Sequence, residues 1–141
     1  MKIKIKKLNS EAVVPKYAHD GDAGMDLFSA EELILKPKHR IAVKTGISIE
    51  LPKDYVGLVW DKSGVALKSG IKTIAGVMDS GYRGEYKIVL VNLSSNNFEI
   101  KKGQKIAQLL IQKIETPKIE IAEELSKTKR GEGGFGSSGI N

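Results

Sequence analysis

Gly76-Val77-Met78-Asp79-Ser80-Gly81-Tyr82-Arg83-Gly84-Glu85 sets three glycines around an acid, an aromatic ring and a guanidinium. Glycine accepts φ > 0 and lets backbone come close to a neighbour, so the stretch predicts a tight hairpin rather than a helix. Strand-like residues flank it, 71–74 before and 86–92 after. A carboxylate at a hairpin mouth beside a tyrosine suits a group that takes a proton from water next to a flat ligand. Taken alone, the stretch also fits an ordinary polar surface turn.

Working outward, the same strand character recurs on both sides. Residues 2–8 alternate, with Ile3 and Ile5 on one face and lysines on the other, the period of a half-buried strand. Residues 23–28 and the segments 33–35, 41–51, 55–61, 85–93 and 104–114 read as further strands, divided by short turns such as Lys36-Pro37-Lys38 and Ser94-Ser95-Asn96-Asn97. Many short strands at close spacing predict an all-β sandwich or barrel. Helical character is confined to one turn at Val65-Ala66-Leu67 and a bias over 121–127, neither able to organise a core.

At 141 residues the chain has the size of one domain, and 40% apolar with 28% charged residues fits a globular protein. No apolar run approaches the roughly 20 residues that cross a bilayer, and the lysine-rich start carries no signal-peptide core. With no cysteine there is no disulfide framework or thiolate metal site, and a reducing cytoplasm is expected. The net charge of +6 favours polyanionic partners, although lysines on strands also keep sheet edges from pairing. Three Phe, four Tyr and one Trp are few for the stacking platforms of a single-strand-binding barrel, so no stable nucleic-acid partner is expected.

Nucleophilic catalysis finds little support: cysteine is absent, and His19 and His39 stand apart from any serine they could serve. Two scattered histidines make no zinc site. What remains is Asp26 and Asp79 near glycines, the Lys62-Ser63-Gly64 turn, Gln108 in a strand, and a tail from Arg130 to Gly139 that combines an arginine with glycine-rich backbone and Phe135. Each has a structural alternative: Asp26 as a turn acceptor, Ser63 as a helix cap, Gln108 as an outward strand residue. The tail lacks the phosphate-loop lysine, since Ser137 occupies its place, and reads instead as an arm closing on a ligand. Together, hard oxygens, phosphate donors and an aromatic lid point to Mg²⁺-assisted hydrolysis of a nucleotide phosphate ester.

Five segments, taken in order, resemble the motifs of the trimeric deoxyuridine triphosphatase family: Ala23-Gly24-Met25-Asp26-Leu27, Lys62-Ser63-Gly64, residues 76–85, Gly103-Gln104-Lys105-Ile106-Ala107-Gln108, and residues 130–139. The resemblance implies a jelly-roll-like distorted β-barrel over 1–125, with a flexible arm, 126–141, closing on a neighbour's site in a homotrimer. It implies Mg²⁺-dependent hydrolysis of dUTP to dUMP and pyrophosphate, with Asp79 activating the water that attacks the α-phosphorus. Asp26 is implied to meet the metal through water, the metal being held mainly by the triphosphate. Lys62, Ser63, Gly64, Gln108 and Arg130 are implied phosphate contacts, and Gly136 and Ser137 further substrate contacts. Thr73, Val77 and Met78 would flank uracil, Tyr82 the deoxyribose and Phe135 the base from above, with Lys87 nearby. Two departures stand out. Lys62 replaces the family's arginine, a point charge for a two-pronged fork, and Asp61 adds an acid that, turned inward, would raise the demand for Mg²⁺. The alternatives are a dCTP deaminase or bifunctional relative of the same fold, and a non-catalytic trimeric binding protein.

Overall fold

The computed structural model describes residues 1–134. Phe135, Gly136 and Ser137 lie outside the described residues. The described chain is all-β apart from one short helix. Its first half runs β1 (Lys4–Lys7), β2 (Met25–Phe28), β3 (Leu33–Leu35), β4 (Arg40–Lys44), β5 (Ile47–Glu50) and β6 (Tyr55–Trp60). After helix α1 (Ser63–Ser69) come β7 (Ile71–Ile74), β8 (Val77–Met78), β9 (Lys87–Asn92), β10 (Phe98–Ile100) and β11 (Lys105–Lys113).

All strand pairs are antiparallel. A four-stranded sheet in the order β2-β11-β6-β8 and a three-stranded sheet β4-β9-β7 are joined by the pairs β1-β5 and β10-β3, the distorted jelly-roll-like arrangement. The period-2 pattern selects the inner faces. Along β9, Ile88, Leu90 and Asn92 point inward, while along β7 Ile71 and Thr73 do. Leu27, Val43, Ile49, Ile88, Leu90 and Leu109 are among the buried aliphatics of the common core, each worth about 1.5–3 kcal/mol by burial. Helix α1 contributes no buried residue, and residues 121–127 form no helix. That segment lies exposed, with no packed face to offset the cost of helix nucleation.

Three local readings change. The strand expected over 41–51 is two strands, because the chain bends at Gly46 (φ 68°) and moves from the β9 partner to the β1 partner. Thr45 Oγ1 donates to the Tyr86 carbonyl and Gly46 N–H to Glu85 Oε1, which fixes the bend. The short strand β10 was not anticipated. The tight hairpin is a wide one: β7 and β9 pair from Ile71↔Asn92 to Ile74↔Val89, and residues 75–86 loop between them. Within that loop Val77 and Met78 cross to the other sheet and pair with Leu58 and Gly57 of β6. Gly76 permits the crossing, since a Cβ there would stand 2.5 Å from the Val59 carbonyl oxygen.

Candidate active site

Val77, Met78, Asp79, Tyr82, Glu85 and Lys87 line an open depression of about 240 Å³. The backbone holds it without help from Asp79's side chain. Tyr82 N–H closes a turn onto the Asp79 carbonyl at 3.1 Å. Arg83 then donates to the Ser80 and Tyr82 carbonyls at 2.6 and 2.9 Å, and the Tyr82 hydroxyl donates to the Glu85 carbonyl at 3.0 Å. The Tyr82 ring lies 5.9 Å from the ring of fully buried Tyr86, which supports it from below. Burial pushes the Tyr86 hydroxyl up to about 12, and its oxygen has no hydrogen-bond partner among the described residues. The Asp79 carboxylate is exposed, and no hydrogen bond or ion pair to it forms among the described residues. An accessible carboxylate on a braced turn is placed to accept a proton.

A second group of residues gathers around Asp26, whose side chain is only 3% exposed. Gln108 sits directly opposite Asp26 in the β2-β11 register, and Trp60 opposite Gln108 in β6. Lys62 Nζ donates to Asp26 Oδ1 at 2.5 Å. Lys105 Nζ lies 2.7 Å from Oδ2, an ion contact whose approach angle falls outside a directed hydrogen bond. Burial works to raise the Asp26 carboxyl, but the lysine contacts, Lys105 before Lys62, outweigh it and hold the group below the ordinary carboxylate range. Gln108 Nε2 donates to the Asp61 carbonyl at 2.8 Å, and its Oε1 lies across Gly24, where a Cβ would stand 2.6 Å from it. Ser63 and Gly64 are exposed at the start of α1; the cap position is Lys62 and no side chain caps the helix.

Thr73 joins neither group. Its hydroxyl and its N–H both donate to Asp61 Oδ1, so its side chain faces Asp61 rather than the depression. Arg130 folds back on its own segment, Nε donating to the Gly133 carbonyl at 2.7 Å. The two groups are far apart on one chain. β2 and β8 are separated by three strand steps, roughly 14 Å, and the Asp26 row meets β6 at Trp60 while Met78 meets it at Gly57. Asp26 and Asp79 are therefore on the order of 15 Å or more apart.

A family model for dUTPase matches residues 10–139. The chain belongs to the dUTPase family. It is 50% identical to the deoxyuridine 5'-triphosphate nucleotidohydrolase of Clostridium novyi (strain NT), covering 99% of this chain and 100% of that one. Among solved structures, a Staphylococcus bacteriophage 80alpha dUTPase with dUpNHpp superposes with a TM-score of 0.89 at 34% identity, over 99% of each chain. A mutant dUTPase of phage phi11 of S. aureus, described with a structural Mg(II) ion, gives a TM-score of 0.85 at 29% identity, over 90% of this chain and 100% of that one.

In this dUTPase-family chain no cluster of three or more acidic or histidine side chains occurs among the described residues. Asp26, a single buried carboxylate flanked by ammonium groups, fits an ion whose ligands are mostly substrate oxygens and water. Sequence reasoning missed Lys105. It lies three residues before Gln108, which strict alternation assigns to the opposite face, and a bulge between Lys105 and Ala107 brings both onto Asp26. It also missed Glu85 and Arg83, whose bracing of the turn depends on residues in and just before β5 brought from far along the chain: Ser48 Oγ donates to the Arg83 carbonyl, and Gly46 N–H to Glu85 Oε1.

Proposed function

We propose that the chain hydrolyses dUTP to dUMP and pyrophosphate, with the Asp79 carboxylate as general base for the attacking water. Membership of the dUTPase family makes it a dUTP diphosphatase. The observation that carries the residue assignment is the unpartnered Asp79 carboxylate in a depression walled by Val77, Met78 and Tyr82. Val77 and Met78 bring their backbone and side chains to the base, and the Tyr82 ring covers the sugar face where a 2′-hydroxyl would clash. Lys87 adds positive charge at the same rim. Positioned base catalysis contributes about 10²–10⁴-fold.

Asp26, Lys62, Ser63, Gly64 and Gln108 form the phosphate end, with Arg130 closing on it from the arm. Lys62 and Lys105 neutralise Asp26; a triphosphate would draw the two ammonium groups to its own oxygens, and Asp26 would then accept from water in the metal's shell. Mg²⁺, when bound, supplies charge neutralisation along the triphosphate. Separation of the Asp26 and Asp79 groups on one chain, on the order of 15 Å or more, supports a composite site in which the two come from different subunits, as in a homotrimer. Just before the arm, Ile119 is 95% and Ile121 98% exposed, apolar surface that fits packing on a neighbouring subunit. A cytoplasmic location accords with a cysteine-free chain acting on a nucleotide.

Incubation of the purified chain with dUTP or dCTP and Mg²⁺, reading pyrophosphate and ammonia separately, tests the proposal. Pyrophosphate from dUTP alone is the expected result. Ammonia from dCTP above background would replace it with the deaminase reading, and binding of dUTP without turnover with a non-catalytic one.

A further inference from the structure

Asp61 lies between the two groups of site residues. Its Oδ1 accepts from Thr73 N–H at 2.6 Å and from the Thr73 hydroxyl at 2.7 Å, and its Oδ2 accepts from Lys72 Nζ at 2.7 Å. Its own carbonyl receives Gln108 Nε2. One residue is thus tied to β7 by its carboxylate, to β11 by its carbonyl, and to Lys62 by a peptide bond. Lys72 Nζ also lies over the Trp60 ring, 6.0 Å from its centroid. Burial works to raise the Asp61 carboxyl, but the bonds from Lys72 and Thr73 outweigh it and keep the group ionised. The inward-turned acid that would raise the demand for Mg²⁺ is not what the fold makes: the carboxylate faces β7, with Lys72 as its counter-ion.

The far end of this clamp is short of Asp79 by only a few residues. From Thr73 the chain passes Ile74, Ala75 at φ 58° and Gly76, whose carbonyl accepts from Val59 N–H at 2.8 Å, and enters β8 and the Asp79 turn. The clamp thus adds a side-chain tie from Asp61 to a residue four positions before β8, beyond the backbone pairing of Thr73 with Leu90. At the near end, Asp61 fixes Lys62 opposite Asp26 and the start of α1.

We propose that Asp61 is a positioning residue that holds the Lys62-Ser63-Gly64 loop and the Asp79 hairpin in register with each other, so that it sets the phosphate end and the base end together. The inference rests on the dUTP hydrolysis reading above. In a composite site the loop and hairpin of one chain serve neighbouring sites, so the clamp ties the geometry of one site to that of the next.

The test compares Asp61→Ala, Asp61→Asn and Thr73→Val in the full chain, each checked for melting temperature and assembly state, with kcat and KM measured for dUTP. Asp61→Ala removes all three side-chain bonds and is expected to raise KM about tenfold and lower kcat about tenfold, because both ends loosen. Asp61→Asn keeps an oxygen for both Thr73 bonds and loses the Lys72 ion pair with its hydrogen bond, so it is expected within about threefold of the native enzyme on both constants. Thr73→Val, which keeps the N–H bond, is expected to fall between them. A folded Asp61→Ala with native constants, or with KM alone changed, overturns the proposal. So does an Asp61→Asn as impaired as Asp61→Ala, which would make the charge, not the clamp, the active feature. If Asp61→Ala fails to fold, native kinetics in Thr73→Val overturn it equally. Failure of the native chain to release pyrophosphate from dUTP would instead sink the underlying function, so the two failures are read separately.

Discussion

Asp79→Asn separates chemistry from stability, because the Asp79 side chain holds nothing in place. Its carboxylate is exposed and without partner among the described residues, while the turn is closed by the Asp79 carbonyl and braced by Arg83. A surface change of this kind moves stability by about 0.5 kcal/mol or less, a shift of about 2 °C in melting temperature. The amide has the shape of the acid but cannot take a proton. Losing a base worth about 10²–10⁴-fold, at about 1.4 kcal/mol per decade, raises the barrier by roughly 2.7–5.5 kcal/mol. Binding of a non-hydrolysable dUTP analogue is expected within about threefold of native, since the walls from Val77, Met78 and Tyr82 remain. The assay is pyrophosphate release at saturating dUTP and Mg²⁺, beside melting curves and analogue binding. Turnover within tenfold of native removes the base assignment. A fall of more than about 5 °C shows that the carboxylate is structural, contrary to the geometry.

Tyr82→Ala is expected to raise the ratio of kcat/KM for UTP over dUTP by about tenfold, measured by competing the two substrates; an unchanged ratio removes the ring from sugar selection. Deleting residues 126–141 is expected to leave a folded assembly by sedimentation, with kcat reduced by about 10²-fold or more, and full activity would refute the arm. Tyr86→Phe removes a buried hydroxyl that has no partner among the described residues, so its denaturation midpoint is expected to stay level or rise, by up to about 1 kcal/mol of stability; a clear loss would mean the hydroxyl has a bond. For Asp26 and Asp61 the folded-state ionisation lies below the ordinary value, so their stabilising contribution is complete above about pH 4 and is lost as pH falls through the lowered range. Melting temperature measured from pH 6 to pH 2 is expected to fall on that acid limb, and Asp26→Asn to flatten it; an unchanged slope would show that the lysine contacts contribute no linkage.

Much of the fold was legible because strands announce themselves locally. Alternation located β1, and apolar runs between turn residues located β6, β7, β9 and β11, each to within a residue or two. The same logic failed where backbone, not side-chain pattern, governs the path. The break at Gly46 joins two apolar runs that read as one strand, and the Gly76 crossing is dictated by an approach to Val59 that no neighbour in sequence reveals. Thr73 was expected beside the base. Its side chain goes to Asp61, a partner twelve residues away that comes into reach only because β7, paired with β9 in the other sheet, passes beside the end of β6.

The order and chemistry of the five motifs belong to the sequence alone: which carboxylates, which lysines, which aromatic residues, and hence a family and a reaction. What those residues touch belongs to the tertiary structure. Lys105 reaches Asp26 only because a bulge turns it over, Asp61 becomes a clamp only because β7 passes beside it, and Asp26 and Asp79 stand apart only because three strand steps lie between them. The physical reason is one of range. Local pattern records which face of a strand is buried, whereas a site depends on angstrom-scale distances between segments that meet only after the sheets have paired.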